Sequence, residues 1–206
     1  MEGEFNMNAK HIYEKPLFCV CGETSSGKDT FIRMAIEKFT DELKAVCSYS
    51  TRPMRDNEVE GREHYFSTKS EFHKLMHDRA DDILGYTKIT SSNNPDGYEY
   101  MALIDELEDS NLYIIDPLGL KYLKDHFGDK ISNIVVIYIT APLNERVSRA
   151  KERSDFNTEF KKRVMNEYEQ FLDFNIDHAY DYVIKNYNGR FYEAFDEFID
   201  IIQKYL

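Results

Sequence analysis

Between the apolar run Leu17-Phe-Cys-Val-Cys21 and a helical pattern at Phe31, Ile32, Met34, Ala35 and Phe39 lies Gly22-Glu23-Thr24-Ser25-Ser26-Gly27-Lys28-Asp29-Thr30. A glycine loop that enters a helix can curl its backbone into a nest of N–H donors. The helix N-terminus adds the positive end of its dipole, and Lys28 supplies a mobile cation. These are the parts of a site for the phosphates of a nucleoside triphosphate, with Lys28 on the outer ones. An ordinary Gly- and Ser-rich turn is the competing reading, and spacing together with context favours the phosphate. Asp29 stands where Ser or Thr commonly offers a hydroxyl to magnesium. The metal is therefore expected through water on Asp29, on Thr30, or mainly on the nucleotide.

A second cluster runs through Ser48-Tyr49-Ser50-Thr51-Arg52-Pro53-Met54-Arg55. Two arginines three apart, held by Pro53 at the end of a strand, can present planar forks to one phosphate, and the hydroxyls of Ser48, Ser50 and Thr51 serve the same crevice. A second, phosphate-bearing substrate is implied. The alternative is a solvated turn in which Arg52 and Arg55 pair with Asp56, Glu58 and Glu60. Asp116 ends the run Leu112–Ile115 and precedes Pro117-Leu-Gly119. It can order a magnesium-bound water beside the second substrate, and it can cap the following helix. His73 and His77, flanked by charges with no third ligand in view, read as a wet helix face.

These groups need a rigid frame. Strand-like runs at Leu17–Cys21, Leu43–Ser48, Leu112–Asp116, Ile134–Ile139 and Tyr182–Ile184 alternate with helical stretches, which predicts an α/β core with a parallel sheet covered on both faces. The polar, aromatic-rich stretch from about 52 to 108 carries Glu63–Ser67, an amphipathic helix near Glu71–Asp78, and Ile83–Ile89 before a Ser-Ser-Asn-Asn-Pro-Asp loop. It reads as a small α+β insertion. We expect a single domain over 16–206, with its core at 16–51 and 109–206, a lid at 149–162, and an N-terminal extension at 1–15. The 206 residues, 42% of them hydrophobic, suffice for one well-buried core. A net charge of −12 argues against a nucleic-acid polymer or a membrane surface as partner, so any phosphate site must be a local basic cluster. Cys19, Cys21 and Cys47 lie in or near apolar runs without zinc spacing. Buried reduced thiols, and hence a cytoplasmic location, are expected. No apolar run has transmembrane length, and the polar start Met1–Asn6 has no signal-peptide character.

The segment from Thr51 to Phe66 resembles the T-R-x-x-R-x-x-E-x-x-G-x-x-Y-x-F stretch of the guanylate kinase family, matched at Thr51, Arg52, Arg55, Glu58, Gly61 and Phe66, with Gly22–Thr30 at the right distance upstream. The resemblance implies a P-loop core, a small monophosphate-binding subdomain and a mobile lid. It also implies transfer of the γ-phosphate of ATP, with magnesium, to GMP or dGMP, giving GDP or dGDP. By it Arg52 and Arg55 grip the monophosphate with Tyr100 as a tyrosine partner, and Ser48 contacts the base carbonyl. Asp116 matches the second acid of D-x-D-x-x-G, with Ile114 replacing the first. Arg149, Arg153 and Arg163 match lid or lid-flanking arginines; with Lys28 and Arg52 they would neutralise the transferring phosphoryl group.

Two departures bear on the acceptor. His64 occupies the place of one phosphate-binding tyrosine, and Gly85 stands where the family carries a glutamate that reads the guanine edge. Asp82, Glu99 and Asp116 are the nearby carboxylates that could accept from a base instead, and Tyr86 could stack on it. The alternatives are a kinase for another nucleotide or for a sugar phosphate such as ribose 1,5-bisphosphate, and a non-catalytic protein-interaction module. The intact loop tells against the last, and the oligomeric state is left open.

Overall fold

The computed structural model describes residues 12–55, 58–91, 94–152 and 158–206. The chain runs through β1 (Leu17–Cys21), α1 (Lys28–Lys38), β2 (Ser48–Ser50), β3 (His64–Phe66), α2 (Lys69–Asp78), β4 (Ile83–Ser91), β5 (Asn94–Leu103) and β6 (Leu112–Ile114). It continues through α3 (Pro117–Phe127), β7 (Ile134–Thr140), α4 (Leu143–Glu152), α5 (Thr158–Ile176), β8 (Tyr182–Lys185) and α6 (Phe191–Gln203).

Period-two alternation in β1 and β7 builds two cores from one sheet. Phe18, Val20, Val135, Ile137 and Ile139 face α1 and α6, packing against Phe31, Ala35, Phe195, Phe198 and Ile202. Leu17, Cys19, Cys21, Val136 and Tyr138 face α3 and α5, against Leu120, Leu123, Phe127, Phe171 and Phe174. Each large apolar side chain so buried contributes about 1.5–3 kcal/mol. The sheet, in the order β6-β1-β7-β8, is parallel throughout. This is the α/β core expected, with helices on both faces. The three cysteines are free and buried. Among the described residues no helix is long and apolar enough to cross a membrane.

Because β1 lies between β6 and β7, the chain leaves it on one side and returns on the other. The crevice beyond its C-terminal end is the switch point at which parallel α/β sheets bind ligands. The glycine loop begins there.

The second run departs from expectation. Leu43–Ser48 is not a strand of the core sheet: it makes a single bridge, Ala45 to Leu112, with Val46 N–H donating to the Leu112 carbonyl. The Asn111 side chain takes over the neighbouring backbone groups, accepting from Lys44 N–H at 3.1 Å and donating to the Glu42 carbonyl at 2.8 Å. The strand then forms at Ser48–Ser50 in a second sheet, ordered β3-β2-β5-β4, where β2 runs parallel to β3 and antiparallel to β5. α2 covers one face of this sheet, with Phe72 packed on Met101 and Leu103. Its start is set by a capping box between Thr68 and Glu71. The expected loop at 91–96 is narrower than anticipated, since Ser91 pairs with Asn94 and Pro95 already belongs to β5.

Candidate active site

The glycine loop is shaped by close approaches. A Cβ on Gly22 would lie 2.5 Å from the Ile139 carbonyl oxygen, and Gly27 has φ +101° with the Asn186 amide 2.4 Å from where its Cβ would be. Neither position accepts a larger residue without strain. The loop's outward carbonyls are tied down from distant elements. Arg146 donates to the Thr24 carbonyl at 3.2 Å; Arg149 and Asn186 donate to that of Ser26 at 3.1 and 2.8 Å. Glu167 of α5 accepts from both the Thr24 N–H, at 2.8 Å, and the Thr24 hydroxyl. Glu23 accepts from the Tyr138 hydroxyl at 2.8 Å. At the start of α1, the N–H groups of Gly27, Lys28 and Asp29 have no backbone partner among the described residues. Carbonyls turned out and N–H groups left at a helix start form an anion site. Lys28, its side chain 18% exposed, stands at the first turn with Nζ 3.9 Å from the Asp29 carboxylate.

Beside the loop a cavity of about 290 Å³ is lined by Ser25, Gly27, Thr30, Arg149, Asn186 and Phe191 among others. Arg149 spans it, with further bonds to the Asn186 carbonyl at 2.6 Å and to Asn188. Arg153 lies outside the described residues, as do residues 154–157 of the expected lid. Arg163 is exposed on α5, four residues from Glu167 and so on the same helix face as the residue that grips the loop. Arg146, Asn186 and Glu167 were not singled out from the sequence. Arg146 lies three residues before Arg149 on α4 and Asn186 directly follows β8, so only their distance from the loop in the chain hid them.

The residues expected to hold the acceptor come together where β2, β3 and β5 adjoin. Ser48 pairs with His64 in register and Ser50 with Tyr100. The Ser48 hydroxyl lies 2.8 Å from His64 Nδ1, and the His64 ring is 5.4 Å from that of Tyr100. Arg52 is buried, its guanidinium 5.1 Å from the Phe66 ring. Its two terminal nitrogens donate to the two Glu58 oxygens at 2.6 Å each. The Arg52–Glu58 pairing set out as the alternative thus exists, but as a bidentate pair at the heart of the cluster, not as a solvated turn. The hydrogen bond to Glu58 raises the Arg52 pKa against the effect of burial, with Tyr100 adding to it. The same pair pulls the Glu58 carboxyl down to about 2. Arg55 stays exposed, its side chain only 4.0 Å from Glu58. Burial, then the Arg52 charge, lowers the His64 pKa and keeps the ring neutral.

The carboxylates considered for a base are committed elsewhere. Asp82 pairs with Arg79 at 2.6 Å. Glu99 faces α2, accepting from Tyr86 at 2.7 Å and meeting His73 Nε2 at 2.9 Å. Burial alone would raise the Glu99 pKa, yet Tyr86 and His73 hold it below the ordinary value. His73 is therefore a partner of a buried acid and not merely a wet residue, and Tyr86 lies on that same face, away from Tyr100. Asp116 caps α3, accepting from Gly119 N–H at 2.7 Å. A Cβ on Gly85 would lie 2.5 Å from the Tyr113 hydroxyl oxygen, so no side chain fits there with Tyr113 in place. For a metal, the described residues contain no cluster of three acidic, histidine or cysteine side chains. Asp29, Thr30 and Asp116 supply single hard oxygens, the donor set of a cation carried mainly by phosphates and water.

Comparison with known proteins places the chain in a family. A profile of the guanylate kinase family matches residues 13–205. The guanylate kinase of Rickettsia felis is 31% identical over 178 residues, covering 85% of this chain and 88% of that one. That of Ehrlichia canis is 28% identical over 176 residues, covering 84% and 79%. The crystal structure of guanylate kinase from Anaplasma phagocytophilum superposes with a TM-score of 0.57 at 21% identity, covering 95% of this chain and 88% of that one, and so shares the fold. The chain belongs to the guanylate kinase family and is a phosphotransferase.

Proposed function

We propose that the protein transfers the γ-phosphate of ATP to a nucleoside monophosphate, with GMP and dGMP as the leading acceptors. The observation that carries this reading is the pairing of two sites. A glycine loop in which the Gly27, Lys28 and Asp29 N–H groups have no backbone partner among the described residues suits a triphosphate, and the Arg52, His64 and Tyr100 cluster suits a monophosphate. No catalytic base is needed. The transferring group has a loose transition state, so alignment and charge neutralisation supply most of the rate. Lys28 neutralises the outer phosphates, Arg52 and Arg55 hold the acceptor phosphate, and Arg149, Arg153 and Arg163 meet the transferring group when the lid closes. Asp29, Thr30 and Asp116 would hold magnesium through water beside the nucleotide, and the ion would supply neutralisation of the phosphate charge. Glu58 holds the Arg52 fork in one orientation.

The crowding at Gly85 favours a second reading within the same reaction class, a different phosphorylated acceptor such as ribose 1,5-bisphosphate. The test is release of ADP from ATP and magnesium with GMP, dGMP, AMP, CMP, UMP, dTMP and ribose 1,5-bisphosphate at equal concentrations. Highest kcat/KM with GMP or dGMP is expected. Turnover with ribose 1,5-bisphosphate alone would replace the acceptor, and no turnover with any would overturn the reading.

A further inference from the structure

Resting on the two-site reading above, we infer that the hydroxyl of Tyr113 reads the base of the acceptor nucleotide and is the specificity-determining group of that site. Tyr100 and Ala102 are alternate residues of β5 and share one face. Their partners on β4, Thr87 and Gly85, share it with them. Gly85 therefore lies two strand steps, about 7 Å, beyond the phosphate cluster toward the core sheet. That is the direction in which the nucleoside of a phosphate held at Tyr100 can extend. Tyr113 reaches this place from β6, where it pairs with Cys19 next to the central strand. Its hydroxyl oxygen stands 2.5 Å from the position a Gly85 Cβ would take.

Three properties suit this oxygen to recognition. No hydrogen bond among the described residues ends on it, although the ring is only part-exposed and packs against the α3 side of the core. An unpaired polar group in such a place gains from a ligand that pairs with it. Burial, then the charges of Cys19 and Asp116, raises its pKa, so it remains an O–H that both donates and accepts. Of the surrounding residues Ala102 and Leu84 are apolar and Glu99 and Tyr86 belong to the opposite face, while the Asp116 carboxylate, near enough to act on Tyr113, is turned to the start of α3, where it accepts from Gly119 N–H. A single neutral hydroxyl holds a base edge less selectively than a carboxylate would.

The experiment is calorimetric titration of the whole protein with GMP and, separately, with ribose 5-phosphate, which carries a phosphate and no base, alongside steady-state kinetics. Tyr113→Phe removes one oxygen and keeps the ring. It is expected to weaken GMP about 3- to 10-fold while leaving ribose 5-phosphate, the ATP KM and Tm unchanged. Gly85→Ala, whose methyl displaces the hydroxyl, should weaken GMP similarly in the wild-type background and add little in Tyr113→Phe, where the oxygen is gone. Unchanged GMP affinity in Tyr113→Phe, or equal loss for both ligands, overturns the assignment. A wild type that binds GMP through Tyr113 but transfers no phosphate to any acceptor would sink the proposed reaction and leave this assignment standing.

Discussion

The two proposed phosphate sites are built on opposite plans. The glycine loop is held from afar: Thr24 and Ser26 are tied by Arg146, Arg149, Glu167 and Asn186, each more than a hundred residues away in the chain. The proposed acceptor cluster is held mostly by near neighbours, with Arg52 bound to Glu58 six residues on and Ser48 to His64 sixteen residues on, and it reaches Tyr100 through the β2–β5 pairing. A site held by the whole fold forms only when the core is complete, and it keeps its shape when one exposed charge is lost. A locally held site depends on individual charges and so responds to single substitutions and to pH.

The largest effect tests the chemistry of the first plan. Among the described residues the Lys28 ammonium forms its ion pair with Asp29 and none with the loop's supports, so Lys28→Ala should leave Tm within about 2 °C and lower kcat at least about 100-fold, the scale seen when one transition-state donor is removed. Turnover within threefold of wild type would take the triphosphate away from the loop. Arg52→Ala probes the second plan and comes next. It removes a charged bidentate donor and leaves the Glu58 carboxylate without its main partner. The acceptor KM should rise by about 10- to 100-fold, from a loss of roughly 1.5–3 kcal/mol, with the ATP KM unchanged. A rise confined to ATP would dissolve the contrast between the sites. Glu167→Gln is the converse. It weakens a support of the loop 143 residues away, and a rise of about 3- to 10-fold in the ATP KM with the acceptor KM unchanged is expected.

The same contrast governs what the sequence makes legible. Core strands are fully apolar runs, so β1 and β7 and the helices between them follow from pattern alone. The loop announces itself because its glycines and lysine are contiguous. Its supports do not, because Glu167, Arg146 and Asn186 are ordinary polar residues whose role exists only once α4, α5 and β8 have packed. The stretch at Leu43–Ser48 misleads for a related reason. Its apolar residues fit the core, but the Asn111 side chain replaces the ladder after one bridge, and pattern carries no sign of that exchange. Arg52, Arg55 and His64 were visible as a local motif; Tyr113 was not, since its hydroxyl meets Gly85 across two sheets.

The smallest effect concerns pH, and only the locally held site should show it. His64 faces Ser48 and Tyr100 and lies in the fields of Arg52, Glu58 and Glu63, and burial first and Arg52 second depress its pKa below the ordinary value of about 6.5. As pH falls through 6.5 the unfolded chain takes up the imidazole proton while the folded ring resists it. Stability therefore declines on the acid side and is fully present above that pH. Tm should fall more steeply below pH 6.5 in the wild type than in His64→Gln. A bound phosphate reverses the balance, because its charge offsets Arg52 and favours the imidazolium. Relative to His64→Gln, which cancels the titration of the phosphate itself, wild-type affinity for GMP should strengthen as pH is lowered from 7.5 to 6, and affinity for ATP should not. Calorimetric titration of both proteins with both nucleotides over that range checks it. Identical pH profiles for GMP would remove His64 from the phosphate cluster and leave the clamp to Arg52, Arg55 and Tyr100.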